Sequence, residues 1–453
     1  MPSIESDSRS CGGDAPAAVS FWHAFAFWLK LGFISFGGPA GQIAIMHQEL
    51  VERRRWISER RFLHALNYCM VLPGPEAQQL ATYIGWLMHR TWGGIVAGGL
   101  FVLPSLFILI GLSWIYVAFG EMPLVAGLFY GIKPAVTAIV VQATHRIGSR
   151  ALRNPLMWAV ALAAFVAIFA ADLPFPLIVL AAALTGFVGG RIAPEHFQAG
   201  GGHAKAGASP GRALIDDDTP TPPHALFSWG RLLRVGAAGS LLWLVPMGLL
   251  VAFYGMENTL TRMGGFFTKA ALLTFGGAYA VLPYVYQGAV EHFGWLTPQQ
   301  MIDGLALGET TPGPLIMVVS FVGFVGGYTQ AVFGPDSLFL AGAVAAAVVT
   351  WFTFLPSFIF ILAGGPFIET THNDLNFTAP LTAITAAVVG VILNLALFFG
   401  YHVLWPDGFA GGFDGVSAAI ALAAAVALFR FRMNVIHVIA ACAVLGLALR
   451  TLL

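Results

Sequence analysis

Lysine, glycine and proline recur in one spaced pattern along this chain. Lys30 stands six residues before Phe36, which opens Phe36-Gly37-Gly38-Pro39, and Lys269 stands six before Phe275, which opens Phe275-Gly276-Gly277. Pro73-Gly74-Pro75 follows the first group and Pro312-Gly313-Pro314 the second, with each pair 239 residues apart. Gly and Pro break a helix, and each break leaves backbone N–H groups free at the start of the next half-helix, where the dipole attracts anions. In lipid-buried segments, breaks at matching positions of two halves point to a substrate site near the midplane. A lysine there is costly, and two related ammonium groups would neutralise a dianion; the alternative is that both snorkel to the interface. The expected substrate-binding set is Lys30, Phe36, Gly37, Gly38, Pro73, Gly74, Pro75, Gln78, Lys269, Gly276, Gly277, Thr311, Pro312, Gly313 and Pro314.

Two carboxylates suit proton coupling. Glu76 directly follows the first Pro-Gly-Pro, and Glu309 precedes the second by three residues. A carboxyl in a membrane segment can load and release a proton as access alternates, although Glu76 is also placed to cap a half-helix. The two are not equivalent, because Leu315 falls opposite Glu76. Gln42, Gln79 and Thr310 are either further donors or polar packing groups. Lys133, in Gly-Ile-Lys-Pro, has no lysine counterpart and reads as a structural or a functional charge.

The elements that position these residues must cross a bilayer. Of 453 residues, 58% are hydrophobic and 10% charged, which cannot supply the surface of a soluble domain. Stretches such as 92–118 and 235–254 are uncharged and exceed the roughly 20 apolar residues a spanning helix needs. Spanning segments must close their own hydrogen bonds, so an all-α polytopic membrane protein is expected. Net charge is zero, giving no argument for nucleic acid. Cys11, Cys69 and Cys442 form neither a C-x-x-C pair nor a metal-ligand spacing, and no phosphate loop or nucleophile elbow appears. No cofactor, metal or catalytic group is expected. The first twenty residues lack a basic n-region and an apolar h-region, so no cleavable signal peptide is expected.

Apolar elements fall at 21–47, 62–88, 92–118, 124–145, 155–171 and 173–190, then after a gap at 235–254, then at 264–290, 303–330, 338–364, 377–401, 414–429 and 433–450. The scheme is six, one, six. Over residues 30–75, the 239 shift gives 12 identities in 46 positions, where unrelated chains give about three. Leu103-Pro104-Ser105 matches Leu355-Pro356-Ser357 farther on. Six elements return the chain to its starting side, so the lone span must invert the second copy. Basic loops agree, since cytoplasmic loops are rich in Lys and Arg: Arg53, Arg54, Arg55, Arg60 and Arg61 fill one loop, and Arg146, Arg150 and Arg153 another, while their counterparts 292–300 and 402–413 hold no Lys or Arg. Both basic loops fall on one side only if 62–88 turns back at its Pro-Gly-Pro as a re-entrant hairpin; 21–47, broken at Gly37-Gly38-Pro39, is a second candidate. The expected organisation is a cytoplasmic tail (1–20), a first repeat (21–191), a hydrophilic flexible linker (192–230), a linking transmembrane helix (231–255) and an inverted second repeat (256–453).

At these residues the chain resembles the chromate ion transporter family in its long, two-domain form. The likeness runs through Phe36-Gly37-Gly38-Pro39, through His47-Gln48-Glu49-Leu50-Val51-Glu52 with Arg54-Arg55-Trp56, and through Leu72-Pro73-Gly74-Pro75-Glu76-Ala77-Gln78-Gln79-Leu80-Ala81. In the second half it runs through Thr274-Phe275-Gly276-Gly277 and Thr310-Thr311-Pro312-Gly313-Pro314. The resemblance implies efflux of chromate across a bacterial inner membrane, driven by an ion gradient and conferring resistance, with sulfate as the related oxyanion. The partners expected are that oxyanion and the lipid bilayer, with a homodimer left open. A membrane-bound chromate reductase is the rival from another class; it would need a thiol pair, flavin or metal site, against which the three isolated cysteines argue.

Overall fold

The computed structural model describes residues 18–36, 38–197, 212–275, 277–370 and 378–452. Among them every regular element is a helix, apart from one isolated bridge between Ile57 and Ile215. The first half begins with α1 (Phe21–Ile34) and α2 (Gly38–His47), which runs into a wide π turn over Gln48–Arg53. α3 (Glu59–Val71) and α4 (Glu76–Phe119) follow, then α5 (Pro123–Ala151), α6 (Pro155–Ala171) and α7 (Phe175–Ile192). α8 (Trp229–Tyr254) separates the halves. The second half holds α9 (Thr259–Leu272), α10 (Ala278–Tyr286) with a π turn over Gln287–His292, α11 (Pro298–Thr310), α12 (Val318–Thr329), α13 (Leu338–Thr370), α14 (Thr378–Leu404), α15 (Gly415–Phe429) and α16 (Val435–Leu452).

Local chemistry explains where the helices start. The side chains of Ser58 and Thr297 accept from the amides of Arg61 and Gln300, capping α3 and α11, and Gln300 completes a capping box. Pro123, Pro155 and Pro298 sit in the first turns of α5, α6 and α11, where proline lacks only an amide that would have been unbonded anyway. Among the described residues six helices are long and apolar enough to cross a membrane: α4, α5, α7, α8, α13 and α14. α1, α3, α9 and α11 are not. With 13 or 14 residues each, they extend only about 20 Å at 1.5 Å per residue, against a hydrocarbon core of roughly 30 Å.

The elements 21–47, 62–88, 264–290 and 303–330 are therefore not single spans. Each divides at its Gly or Pro break into two short helices. The gap expected between 62–88 and 92–118 falls at His89 and Arg90, where α4 leaves helical geometry and folds back on itself, so that Gly98 lies against Thr82 and Gln78 and Gly85 against Ala97. The break chemistry explains the divisions at proline, since proline in a helix removes an amide and clashes with the preceding turn.

Packing between the halves is reciprocal. α1 lies on α4 and α9 on α13; α5 packs on α15 and α16, and α14 on α6 and α7; α4 meets α13 and α5 meets α14. The largest apolar cluster draws on both halves, with Leu109, Val136 and Phe175 from the first and Phe267, Phe321 and Phe399 from the second. α8 rests on α13 and α9 with Gly239 its one buried residue, so its apolar surface is left for lipid.

One end of the bundle gathers the basic loop. The His89 ring bonds the Val19 carbonyl at 2.9 Å, and Arg54 approaches His23 at 3.4 Å. The segment read as a flexible linker does not behave as one over residues 212–228. Leu214 and Ile215 donate to the carbonyls of Arg55 and Trp56, Ser58 donates to Asp217, Arg61 to the Thr219 carbonyl, and His224 bonds the Trp86 carbonyl. Hydrophilic composition suggested a free chain, but its backbone and the Asp217 carboxylate find partners in the arginine loop, and His224 finds one in α4.

Candidate functional site

The two Pro-Gly-Pro motifs lie in the bundle interior against the breaks of the opposite half. Among three such residues only glycine carries an N–H, and a buried amide left unbonded costs about 1–3 kcal/mol. Both glycine amides are satisfied across the repeats: Gly74 N–H donates to the Thr274 carbonyl at 2.8 Å, and Gly313 N–H donates to the Ser35 carbonyl at 2.8 Å. Each donor and each acceptor differs from its counterpart by 239. Ser35 and Thr274 end α1 and α9 just before the two Phe-Gly-Gly breaks, so the exchange ties all four breaks into one place.

Glycine is required at these tips for two reasons. Gly74 and Gly313 have φ of +126° and +99°, a region that side chains rarely adopt. A Cβ on Gly74 would also meet Ser357 Oγ at 2.3 Å, and one on Gly313 would meet Ser105 Cβ at 2.8 Å. Those serines belong to the repeated Leu-Pro-Ser of α4 and α13. Pro104 and Pro356 lie inside these helices, and each serine stands against the tip of the other half.

Around the tips the halves carry different side chains. In the first half Gln42 donates to the Gly313 carbonyl at 2.5 Å, Gln79 to the Pro73 carbonyl at 2.8 Å and Ser357 Oγ at 3.3 Å, and Gln78 to Thr82 at 3.0 Å. All three amides are buried, and their Oε1 atoms, with Ser105 Oγ, have no protein partner. The matching positions of the second half are Val281, Met317, Val318 and Phe321, each fully buried in the apolar core. What the second half has instead is a Tyr279 hydroxyl donating to Glu309, both buried. Their counterparts are Ala40 and Met70.

The expected residues are distributed as follows. Pro73, Gly74, Pro75, Gln78, Thr311, Pro312, Gly313 and Pro314 are at the tips, with Gly38 and Gly277 opening α2 and α10 at positive φ. Gly37 and Gly276 fall outside the described residues. Phe36 is half-buried beside the break, and Glu76 is half-buried at the first position of α4, whose N-cap Pro75 provides no side-chain cap. The amides of Gly74 and Gly313 are occupied by the opposite half; the first-turn amides of α4, at the start of the half-helix, have no acceptor inside the helix. Lys30 and Lys269 are exposed on α1 and α9, outside the buried polar group.

Sequence reasoning gave no site role to Ser35, Thr274 or Tyr279, although Thr274 stands in a motif that carries the family resemblance. Ser35 and Thr274 act through carbonyls, which leave no side-chain signature. Tyr279 is one aromatic among many, and only the fold places it on Glu309. Ser105 and Ser357 were visible as a repeated motif but not as tip contacts. Arg146, read only as a loop charge, lies within electrostatic reach of Tyr279 and Glu309.

A sequence model of the chromate transporter family matches residues 22–187 and matches again over 261–447, together most of the chain. This chain belongs to the chromate transporter family. The two matched stretches coincide with the halves on either side of α8. Curated relatives agree along nearly their whole length. The chromate transport protein of Pseudomonas aeruginosa is 33% identical over 381 residues, 83% of this chain and 80% of its own. That of Cupriavidus metallidurans is 27% identical over 94% of this chain and 92% of its own, and the probable chromate transport protein of Synechococcus elongatus is 27% identical over 85% and 86%. No solved structure matches this chain. Family and apolar helices together make it a multi-pass membrane protein.

Proposed function

We propose that the protein is a secondary active carrier that exports chromate across a bacterial inner membrane, driven by the membrane's ion gradient, and thereby gives chromate resistance. In this reading residues 21–191 and 256–453 are inverted repeats joined by the linking helix 231–255. The paired short helices α1–α2, α3 with the start of α4, α9–α10 and α11–α12 are re-entrant hairpins. The observation that carries the reading is the reciprocal amide exchange of Gly74 with Thr274 and Gly313 with Ser35. It gathers four helix breaks at one buried place, which is where inverted-repeat carriers hold substrate. The family match in two blocks and the relatives named for chromate transport supply the substrate. The arginine loop, Arg53 to Arg61, supports a cytoplasmic position for that end under the positive-inside rule.

The oxyanion sits between the tips. The first-turn amides of α4 and the polar group of Gln42, Gln78, Gln79, Ser105 and Ser357 meet its hydration shell. Lys30 and Lys269 line its approach. Glu309, held by Tyr279, takes and returns the coupling proton, with Glu76 at the mouth of the first tip as the second acidic group.

Uptake of labelled chromate into everted vesicles, with and without a proton gradient and in competition with sulfate, tests this. Gradient-dependent accumulation is expected. Reduction of chromate without accumulation would sink the carrier, and stronger uptake of sulfate would reassign the substrate to the sister oxyanion.

A further inference from the structure

At the far end of α4 from Arg90, a cavity of about 800 Å3 opens between α4, α5, α11, α12 and α16. Tyr116, Tyr130, Lys133, Gln300, Asp303 and Arg450 are among its walls. Asp303, on α11, is only 2% exposed. One of its oxygens, Oδ2, receives the Tyr116 hydroxyl at 2.8 Å and faces Lys133 Nζ at 3.3 Å; the other, Oδ1, is buried with no partner. Lys133 itself is partly open to the cavity, with 29% of its side chain exposed.

A buried carboxylate whose second oxygen is empty is an unfinished site. Leaving such an acceptor unmet costs free energy, which a proton or a donor ligand removes. The single ammonium can serve either Asp303 or another anion in the cavity. When Oδ1 carries a proton, Asp303 loses its charge, Lys133 faces the cavity as an uncompensated cation, and the new O–H can donate to a bound oxygen. When the proton leaves, the carboxylate recaptures Lys133 and repels the guest. The other groups facing the pair are Tyr116 on α4, Glu121 in the following turn, Tyr130 on α5, Tyr328 on α12 and Arg450 on α16. Tyr130 is engaged by Asp414 at 3.0 Å.

We propose that this cavity is a second oxyanion site, a vestibule outside the tips, in which Lys133 is exchanged between Asp303 and the anion so that a proton and the oxyanion bind together. The step moves one proton from solvent to Asp303 Oδ1 and changes no other bond. By linkage, whatever factor the proton adds to anion affinity, the anion adds to proton affinity. The inference takes its ligand from the proposed transport of chromate and does not depend on the tips.

Binding of labelled chromate to the full-length protein in nanodiscs, from pH 6 to 8.5, tests it. Wild-type affinity is expected to fall as pH rises. Asp303→Asn, a permanent neutral analogue, should bind about tenfold tighter than wild type at pH 8 and lose the dependence; since the anion's own protonation is common to both, their ratio isolates the residue. Lys133→Gln should weaken binding about tenfold at low pH, with Lys133→Arg restoring it. The double variant Lys133→Gln/Asp303→Asn leaves no lone buried charge and should bind weakly at every pH. A parallel pH profile in Asp303→Asn, unchanged affinity in Lys133→Gln, or pH-dependent tight binding in the double variant would overturn the proposal. If wild type binds sulfate in this pattern but not chromate, the vestibule stands and only the substrate of the carrier changes; if it binds neither, both fall.

Discussion

The tip of the first half and the tip of the second follow the same backbone course, yet one is lined by amides and the other by hydrocarbon. Helix lengths, the π turns at Gln48–Arg53 and Gln287–His292, the positive φ of Gly74 and Gly313 and the crossed amide bonds repeat with the 239 spacing. The side chains do not. Gln42, Gln78, Gln79 and Thr82 correspond to Val281, Met317, Val318 and Phe321, and the acidic group of the second half, Glu309, replaces a methionine. Backbone reciprocity is what an alternating machine needs mechanically, because each tip must close against the other half. In the proposed carrier, side-chain asymmetry divides the labour: a polar surface for the anion on one tip, a titrating pair on the other.

The sharpest way to break the mechanical half of this comparison is Gly313→Ala or Gly74→Ala. Backbone strain of about 1–3 kcal/mol adds to the loss of a buried amide bond of similar size, and the added carbon strikes Ser105 or Ser357. Chromate uptake in everted vesicles should vanish in both while membrane insertion persists. Full activity in either would end the reciprocity argument.

The chemical half is tested next. Gln78→Leu or Gln79→Leu removes a hydrogen bond to a charged substrate or its shell, about 1.5–3 kcal/mol, so kcat/KM for chromate should drop about ten- to a hundredfold. Met317→Leu at the matching position keeps core volume and should change it less than about threefold. Equal losses would mean that both tips serve packing alone.

Glu309→Gln should abolish accumulation driven by a proton gradient and spare chromate counterflow, in which no net proton moves; gradient-driven uptake at the wild-type rate would remove the proton role. Lys30→Ala and Lys269→Ala should each raise the chromate KM about tenfold, as expected for loss of roughly 1.4 kcal/mol of attraction. Their exposure makes this the weaker effect, and an unaltered KM in both would leave the lysines as interface anchors.

The smallest effect lies outside the membrane. Burial holds the His224 ring below its ordinary titration range, aided by Arg231 and Arg90 and opposed by its bond to the Trp86 carbonyl. A histidine depressed on docking favours the docked state only while neutral. Attachment of residues 212–228 should therefore be complete above about pH 6.5 and weaken as pH falls below it. Protease accessibility of that segment at pH 7.5 and 5.5 reads this out, and His224→Phe, which keeps the ring packed on Trp86, should be insensitive to pH.

Much of the architecture was legible in the letters because its causes are local. Apolar run length predicts membrane helices, and Pro-Gly-Pro predicts a break wherever it stands. The linker misled for the opposite reason: Asp217 and Thr219 look solvent-bound in sequence, and only their nearness to Ser58 and Arg61 pins them. Lys133 could not be assigned from its neighbours, because Asp303, which decides its role, is 170 residues away.

By itself, then, the sequence determined a membrane protein, a duplication, the positions of four breaks and a likeness to chromate transporters. All of these follow from composition, spacing and propensity along the chain. Tertiary structure alone decided that each Pro-Gly-Pro amide is satisfied by the opposite half, that the polar group lines one tip, and that Asp303 holds Lys133 with one oxygen left empty. Those depend on which distant groups meet in a dry interior, where every N–H and carboxylate must find a partner that local sequence does not name.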